Sequence, residues 1–171
     1  NVFVPDSDVL GEVNGGWRVA MSTASSERGL SLRSPGRFLA SADRLVQLCR
    51  EVGDDAPASL REEVAQIWME ADAYRLSTAK TVSRMNDGQV PGAEMSMNKI
   101  FWSELDVRLH ATAMHLLGDR AELTPAAPAA AGAGFWSQDW LFSLPGPIWG
   151  GANEVQRNIV AERVLGLPRG R

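Results

Sequence analysis

Four stretches of apolar residues at helical spacing, each closed by a polar or glycine-containing break, constrain this 171-residue chain more than any other feature. Such spacing puts the apolar side chains on one side of a helix, and that side needs a surface to cover it. Trp17, Ala20, Met21 and Ala24 mark a first helix over Trp17 to Arg28. Ser34-Pro35 offers a cap and a first-turn proline for a second helix, whose stripe is Phe38, Leu39, Ala42, Leu45, Val46 and Cys49. Ser59 and Glu62 have the spacing of a capping box, and Leu60, Val64, Ile67, Trp68, Ala71, Arg75, Ala79 and Val82 carry the longest stripe to Asn86-Asp87-Gly88. Ser96, as a cap, opens a fourth helix with Ile100, Phe101, Leu105, Leu109, Ala113 and Leu116 inward, ended by Gly118. Short polar connections between four such helices predict an all-α, up-and-down four-helix bundle.

Beyond Gly118 the pattern changes. Thr124 to Gly134 is rich in Ala, Pro and Gly and reads as a flexible surface loop unable to build core. Phe135 to Leu144 reads as a short aromatic-rich helix. Gly150-Gly151 then forms a turn without side chains directly before an extra C-terminal helix from Asn153, a place where a ligand can approach backbone N–H groups. Val155, Ile159, Val160 and Val164 are expected on that helix's inner face, with Gly166 and Pro168 ending it.

The net charge is -4 and no block of Lys or Arg stands out, which argues against nucleic acid as the main partner. No stretch has the length and apolarity of a membrane span. Cys49 is the one cysteine, so an internal disulfide is excluded, and a small buried hydrophobe in a reducing cytoplasm is expected. His110 and His115 lie roughly 140° apart around a helix, so they cannot share a metal ion, and no metal site is expected. Ser96 and Lys99 have the spacing of a Ser/Lys acyl-enzyme without its companion motifs. The opening Val2-Phe3-Val4-Pro5 reads as the tail of a strand, and the absence of an initiator Met suggests an excised part of a longer protein.

The string I-W-G-G-A-N-E-V-Q-R-N-I-V-A-E-R-V-L-G-L-P-R, Ile148 to Arg169, resembles the C-terminal signature of the acyl-CoA dehydrogenase family. Pro91 to Leu105, P-G-A-E-M-S-M-N-K-I-F-W-S-E-L, and Val2 to Gly11 are similar to two further family segments. The resemblance covers essentially the whole chain. It implies residues 1–14 as the exit strand and loop of a β-domain and residues 15–171 as the C-terminal helical domain. It also implies FAD as cofactor and an acyl-CoA thioester as substrate, with the α-proton taken by a carboxylate while the β-hydride moves to flavin N5. Electron-transfer flavoprotein, or a similar acceptor, and a homo- or hetero-tetramer built through this domain are the implied partners.

The family's commonest base position in the signature is Gly150 here, which has no base to offer. Other members, similar to isovaleryl-CoA dehydrogenases, take the carboxylate from the end of the first helix of this domain. That position is Glu27, with Arg28 as its accompanying arginine. By the same resemblance Gly150, Gly151, Ala152, Glu154, His115 and Gly118 fall at cofactor contacts, and Arg28, Trp149 and Gly150 at substrate contacts. The backbone N–H of Gly150 is the implied donor to the thioester carbonyl. Ala152 and His115 depart from the family's Thr and Gln, and Arg33-Ser-Pro-Gly-Arg-Phe38 replaces its R-x-x-F-G segment. These departures raise an alternative: a mainly structural, half-site subunit of a heteromeric acyl-CoA dehydrogenase. Flavin-dependent oxygenation is a third reading, against which the carboxylate Glu27 argues.

Overall fold

The computed structural model describes residues 2–30, 33–130 and 133–169, with the side chains of 24–30 and 133 outside the description. Among the described residues six helices follow in order: α1 (Gly16–Leu30), α2 (Pro35–Val52), α3 (Ala58–Asn86), α4 (Met95–Leu117), α5 (Ala133–Ser143) and α6 (Asn153–Ile159). The all-helical class is as expected, and no strand occurs among the described residues. Residues 2–5 are irregular and lead into a 3-10 turn, Asp6–Asp8. No helix is long and apolar enough to cross a membrane among the described residues.

The helix ends follow backbone chemistry more closely than side-chain capping. Pro35 stands at the first position of α2, although Ser34 makes no side-chain cap. The capping box expected at Ser59 is not used: Pro57 is the N-cap, and its carbonyl already accepts from Leu60 and Arg61 at 3.0 and 3.1 Å. Likewise Ser96 does not cap α4. The Pro91-Gly92 turn starts winding early, with Met95 N–H bonded to Gly92 O at 3.2 Å, so Ser96 ends up buried inside the first turn. Gly53 and Gly118 close α2 and α4 with positive φ, as their sequence places suggest.

Helix α4 is the hub, packing against α1, α2, α3, α5 and α6. Its buried residues include Trp102, Leu105, Leu109, Ala113, Leu116 and Leu117, and these meet Phe38, Leu45, Val64, Ile67 and Tyr74 in one core. Each of the leucines, Val64, Ile67 and Phe38 stabilises the fold by roughly 1.5–3 kcal/mol through burial. A helix with this many neighbours also buries polar groups, and two of them are paired in its middle. Asp106 receives Arg37 at 3.0 Å, and His110 Nδ1 lies 2.8 Å from Asp106 O. Cys49 packs against the core as a small hydrophobe.

Several expected faces are turned. The buried row of α3 is Val64, Ile67, Ala71, Tyr74 and Thr78, whereas Trp68, Arg75, Ala79 and Val82 face outward. Trp68 gives its indole N–H to Asp43 at 2.8 Å, which makes a polar edge the better home for it. Trp17, Ala20 and Met21 of α1 are exposed, so the helices packed in the core are α2, α3, α4 and α5. Phe101 is 37% exposed and stacks on Tyr74. Ala130, in the Ala/Pro/Gly stretch expected to stay out of the core, is buried, because its methyl is small enough to fit beneath α5.

Candidate functional site

The Gly-Gly turn is the tip of a short loop between α5 and α6. Consecutive turns build its first half, with Gly146 N–H bonded to Ser143 O at 2.8 Å and the N–H groups of Ile148 and Trp149 both bonded to Pro145 O at 2.9 Å. A Cβ at Gly146 would come within 2.9 Å of Ser143 O, so only glycine lets the chain turn this tightly over Trp102. The loop closes where Asn153 N–H donates to Pro147 O at 2.9 Å. Gly150 and Gly151 occupy the left-handed region, at φ 66° and 98°.

A buried polar network holds this loop on α4. Lys99, 3% exposed, donates to Pro147 O at 2.9 Å and to Asn153 Oδ1 at 2.6 Å. Asn153 Nδ2 donates to Ser103 Oγ and to Glu104 Oε1, both at 3.1 Å, and Glu104 pairs with Arg157 of α6. Burial holds the Lys99 ammonium below the usual lysine range, and the nearby Glu154 and Glu104 carboxylates oppose that shift. Ser96 is therefore not paired with a catalytic lysine; the ammonium of Lys99 serves the loop.

The inner face of α6 is consequently polar. Asn153 and Gln156 are its buried residues, while Val155 and Val164, expected inward, are exposed. The reason is the ammonium beneath: carbonyl and amide oxygens solvate it, and a valine could not. After Ile159 the helix widens into a π-turn, Val160–Val164, before Gly166 ends it.

At the tip, Gln156 is fully buried and its Nε2 reaches Gly150 O at 3.4 Å and Gly151 O at 3.5 Å. Its Oε1 is buried without a partner. Among the described residues, no backbone carbonyl accepts from the N–H groups of Gly150, Gly151 or Ala152. A Cβ at Gly150 would meet nothing within 4 Å. A bare, open tip with unclaimed donors fits a planar, acceptor-rich group such as a flavin or a thioester carbonyl. Trp149 stands beside it, half exposed, edge-on to Phe142 at 5.7 Å. Ala152 is partly buried and Glu154 exposed in the first turn of α6.

The remaining expected site residues lie elsewhere. His115 and Gly118 are exposed at the far end of α4, about 24 and 28 Å along the axis from Lys99 at 1.5 Å per residue. One flavin ring cannot touch both the Gly-Gly tip and this end. Glu27 and Arg28 lie near the end of α1, and their side chains are outside the described residues. Arg33 and Arg37, in place of the R-x-x-F-G segment, are used within the domain, Arg33 over the Trp102 ring at 4.9 Å and Arg37 on Asp106. Sequence reasoning missed the support that Lys99, Asn153 and Gln156 give the loop. The available signal was a lysine three residues before Trp102 and four before Ser103, on a helix flank otherwise meant for the interior.

Comparison with known proteins agrees with this architecture. Residues 14–165 match the sequence model of the acyl-CoA dehydrogenase C-terminal domain. Acyl-CoA dehydrogenase IpdE1 of Mycolicibacterium smegmatis is 37% identical over 164 residues, covering 94% of this chain and 39% of its own length. IpdE1 of Mycobacterium tuberculosis is 34% identical, over 96% of this chain and 42% of its own. The chain thus spans about two-fifths of these curated relatives. Among solved structures, the Tcur3481-Tcur3483 steroid ACAD superposes with a TM-score of 0.82 at 29% identity, over 98% of this chain and 44% of that one. The ChsE4-ChsE5 complex from Mycobacterium tuberculosis gives 0.79 at 27% identity, over 98% and 44%. The match to the family's domain along nearly the whole chain, together with the helical order and the glycine tip it carries, makes this chain a member of the acyl-CoA dehydrogenase family.

Proposed function

We propose that residues 15–171 are the C-terminal helical domain of an FAD-dependent acyl-CoA dehydrogenase, and that residues 1–14 lead into it from a β-domain. The observation that carries this reading is the Gly150-Gly151 tip, open on its outer side and rich in unclaimed N–H donors. When bound, FAD supplies the acceptor for the β-hydride. The chain's own part is to bind, polarise and deprotonate. The Gly150 N–H donates to the thioester carbonyl, stabilising the negative charge that gathers there as the α-proton leaves. Glu27 takes that proton as the general base. Arg28 orients the carboxylate. Trp149 flanks the thioester, while Gly151, Ala152 and Glu154 line the flavin side. Because His115 and Gly118 lie at the other end of α4, they serve a distant part of a cofactor or the cofactor of a neighbouring subunit.

A second reading has its own support. Both solved structures above, Tcur3481-Tcur3483 and ChsE4-ChsE5, are named for two proteins, and Ala152 and His115 lack the family's polar contacts. On this reading the chain belongs to one subunit of a heteromer that shares or cedes the flavin, with electron-transfer flavoprotein or a similar acceptor downstream.

The test uses the complete enzyme, purified alone and with candidate partner subunits. Bound flavin is read by absorbance, followed by anaerobic bleaching with straight-chain and steroid acyl-CoAs. Bleaching by the protein alone, lost in Glu27→Gln with FAD retained, supports the dehydrogenase with Glu27 as base. A colourless protein whose activity with a partner is indifferent to Glu27→Gln supports the half-site reading.

A further inference from the structure

The loop bearing the glycine tip is held from beneath by two buried side chains with no role in the reaction described above. Lys99 holds its neck, because Pro147 O accepts both the Lys99 ammonium and the N–H of Asn153, the residues that begin and end the loop. Gln156 holds its tip through the carbonyls of Gly150 and Gly151. The orientation of that amide is dictated by its surroundings: turned over, its oxygen would face two carbonyl oxygens. Gly151 must be a glycine for this contact, since a Cβ there would come within 2.5 Å of Gln156 Nε2. Fully buried, Gln156 has no solvent to retreat into.

The peptide geometry carries the consequence. In a trans peptide the C=O and the N–H of the next residue point in opposite directions, and no cis bond occurs among the described residues. Drawing Gly150 O and Gly151 O inward therefore turns the N–H groups of Gly151 and Ala152 outward. The peptide that carries the Gly150 N–H lies between Trp149, anchored on Pro145 O, and the first of these held carbonyls. It is fixed from both sides. Two bonds of 3.4 and 3.5 Å are weak singly, but they converge from one donor on consecutive peptides, and the ammonium beneath fixes the loop ends at 2.6 and 2.9 Å.

We propose that Gln156 and Lys99 are positioning residues that aim the backbone N–H groups of the Gly150-Gly151 tip at the thioester and its cofactor. This deepens the dehydrogenase reading and rests on it. Neither side chain touches the reacting atoms; each acts through the backbone.

The experiment uses the complete, FAD-loaded enzyme with any partner subunit it requires. Wild type, Gln156→Glu and Lys99→Met are each mixed with a 13C-carbonyl-labelled 2-enoyl-CoA, the product corresponding to the best acyl-CoA of the bleaching panel, and the bound carbonyl stretch is read by infrared difference spectroscopy. Gln156→Glu keeps the shape and removes the donor; if it does not fold, Gln156→Asn, which keeps the donor and loses the reach, replaces it. The expected result is a carbonyl stretch lowered in wild type and returned toward its aqueous value in both variants. FAD content should be unchanged, with kcat lower by about 10²-fold, the scale of a misplacement near 1 Å, and KM within about threefold. A purely structural role would lower the melting temperature and leave the carbonyl frequency alone. A stretch lowered equally in all three folded proteins overturns the positioning role while leaving the dehydrogenase reading in place. A bound carbonyl unshifted in wild type overturns the oxyanion role of the tip, and this inference with it.

Discussion

Lys99 illustrates how one residue sets conditions for its surroundings. Its ammonium is buried against neutral oxygens, and burial lowers its pKa below 10.5. The unfolded chain keeps the ordinary value, so between the lowered value and 10.5 the unfolded state binds more protons. Stability contributed by this group therefore rises with pH across that window. Urea unfolding from pH 8 to 10.5 should show wild type gaining on Lys99→Met as pH increases; a constant difference would mean that the lysine titrates normally. Glu27 belongs to the same scale. On the proposed reading a general base there accounts for about 10²–10⁴-fold in rate, so Glu27→Gln should lower flavin bleaching by that factor with FAD content unchanged. Tyr74 donates to Arg33 O at 2.8 Å, tying the segment before α2 to α3. Tyr74→Phe should cost about 0.5–1.5 kcal/mol in denaturant unfolding, with no loss of the helical circular-dichroism signal.

Among the elements, α4 and the α5–α6 loop carry the most weight. Leu109 is wholly buried where α4 meets the core, and Leu109→Ala should cost about 2–5 kcal/mol, read as a lower urea midpoint. Gly151→Ala combines φ 98° with a 2.5 Å collision against Gln156. It should impair the tip more than Gly150→Ala, whose Cβ would meet open space, and comparison of acyl-CoA turnover in the two variants checks this. Much of this level was legible in the sequence. Helix stops at Gly53, Gly88 and Gly118 follow from backbone freedom alone, and the apolar stripe of α2 buries Phe38, Ala42 and Leu45 as written. Faces were less legible wherever two stripes competed. On α3, Ile67 and Trp68 are both apolar, and the choice between their rows depended on Asp43 of α2 taking the indole. On α6, period reasoning favoured Val155, because nothing local reveals that a lysine from 54 residues earlier needs Asn153 opposite it.

At the scale of the whole molecule, the family was legible because the signature string survives almost unbroken from Glu154 to Arg169. The expected site residues do not form one constellation. The glycine tip and the His115–Gly118 end are separated by the length of α4, too far for one flavin ring to touch both. Copurification of the complete protein with candidate partner subunits, followed by mass determination, distinguishes a homomer from a heteromer. On the heteromer reading, flavin content should follow the mixed species.

The hub position of α4 also bears on how the chain is made. Synthesis delivers α1, α2 and α3 before α4, but α5, the loop and α6 follow it. Until Pro147 and Asn153 emerge, the Lys99 ammonium lacks the oxygens that receive it in the finished fold, and burying it unpaired is costly. Leu116 and Leu117 of α4, with Trp136 of α5, likewise complete their packing only late. A transcript cut before Ala133 should therefore give a nascent polypeptide that aggregates or is degraded rather than a smaller folded domain, and a ribosome-release assay of such truncations would show soluble product only once the codon for Gln156 has been passed.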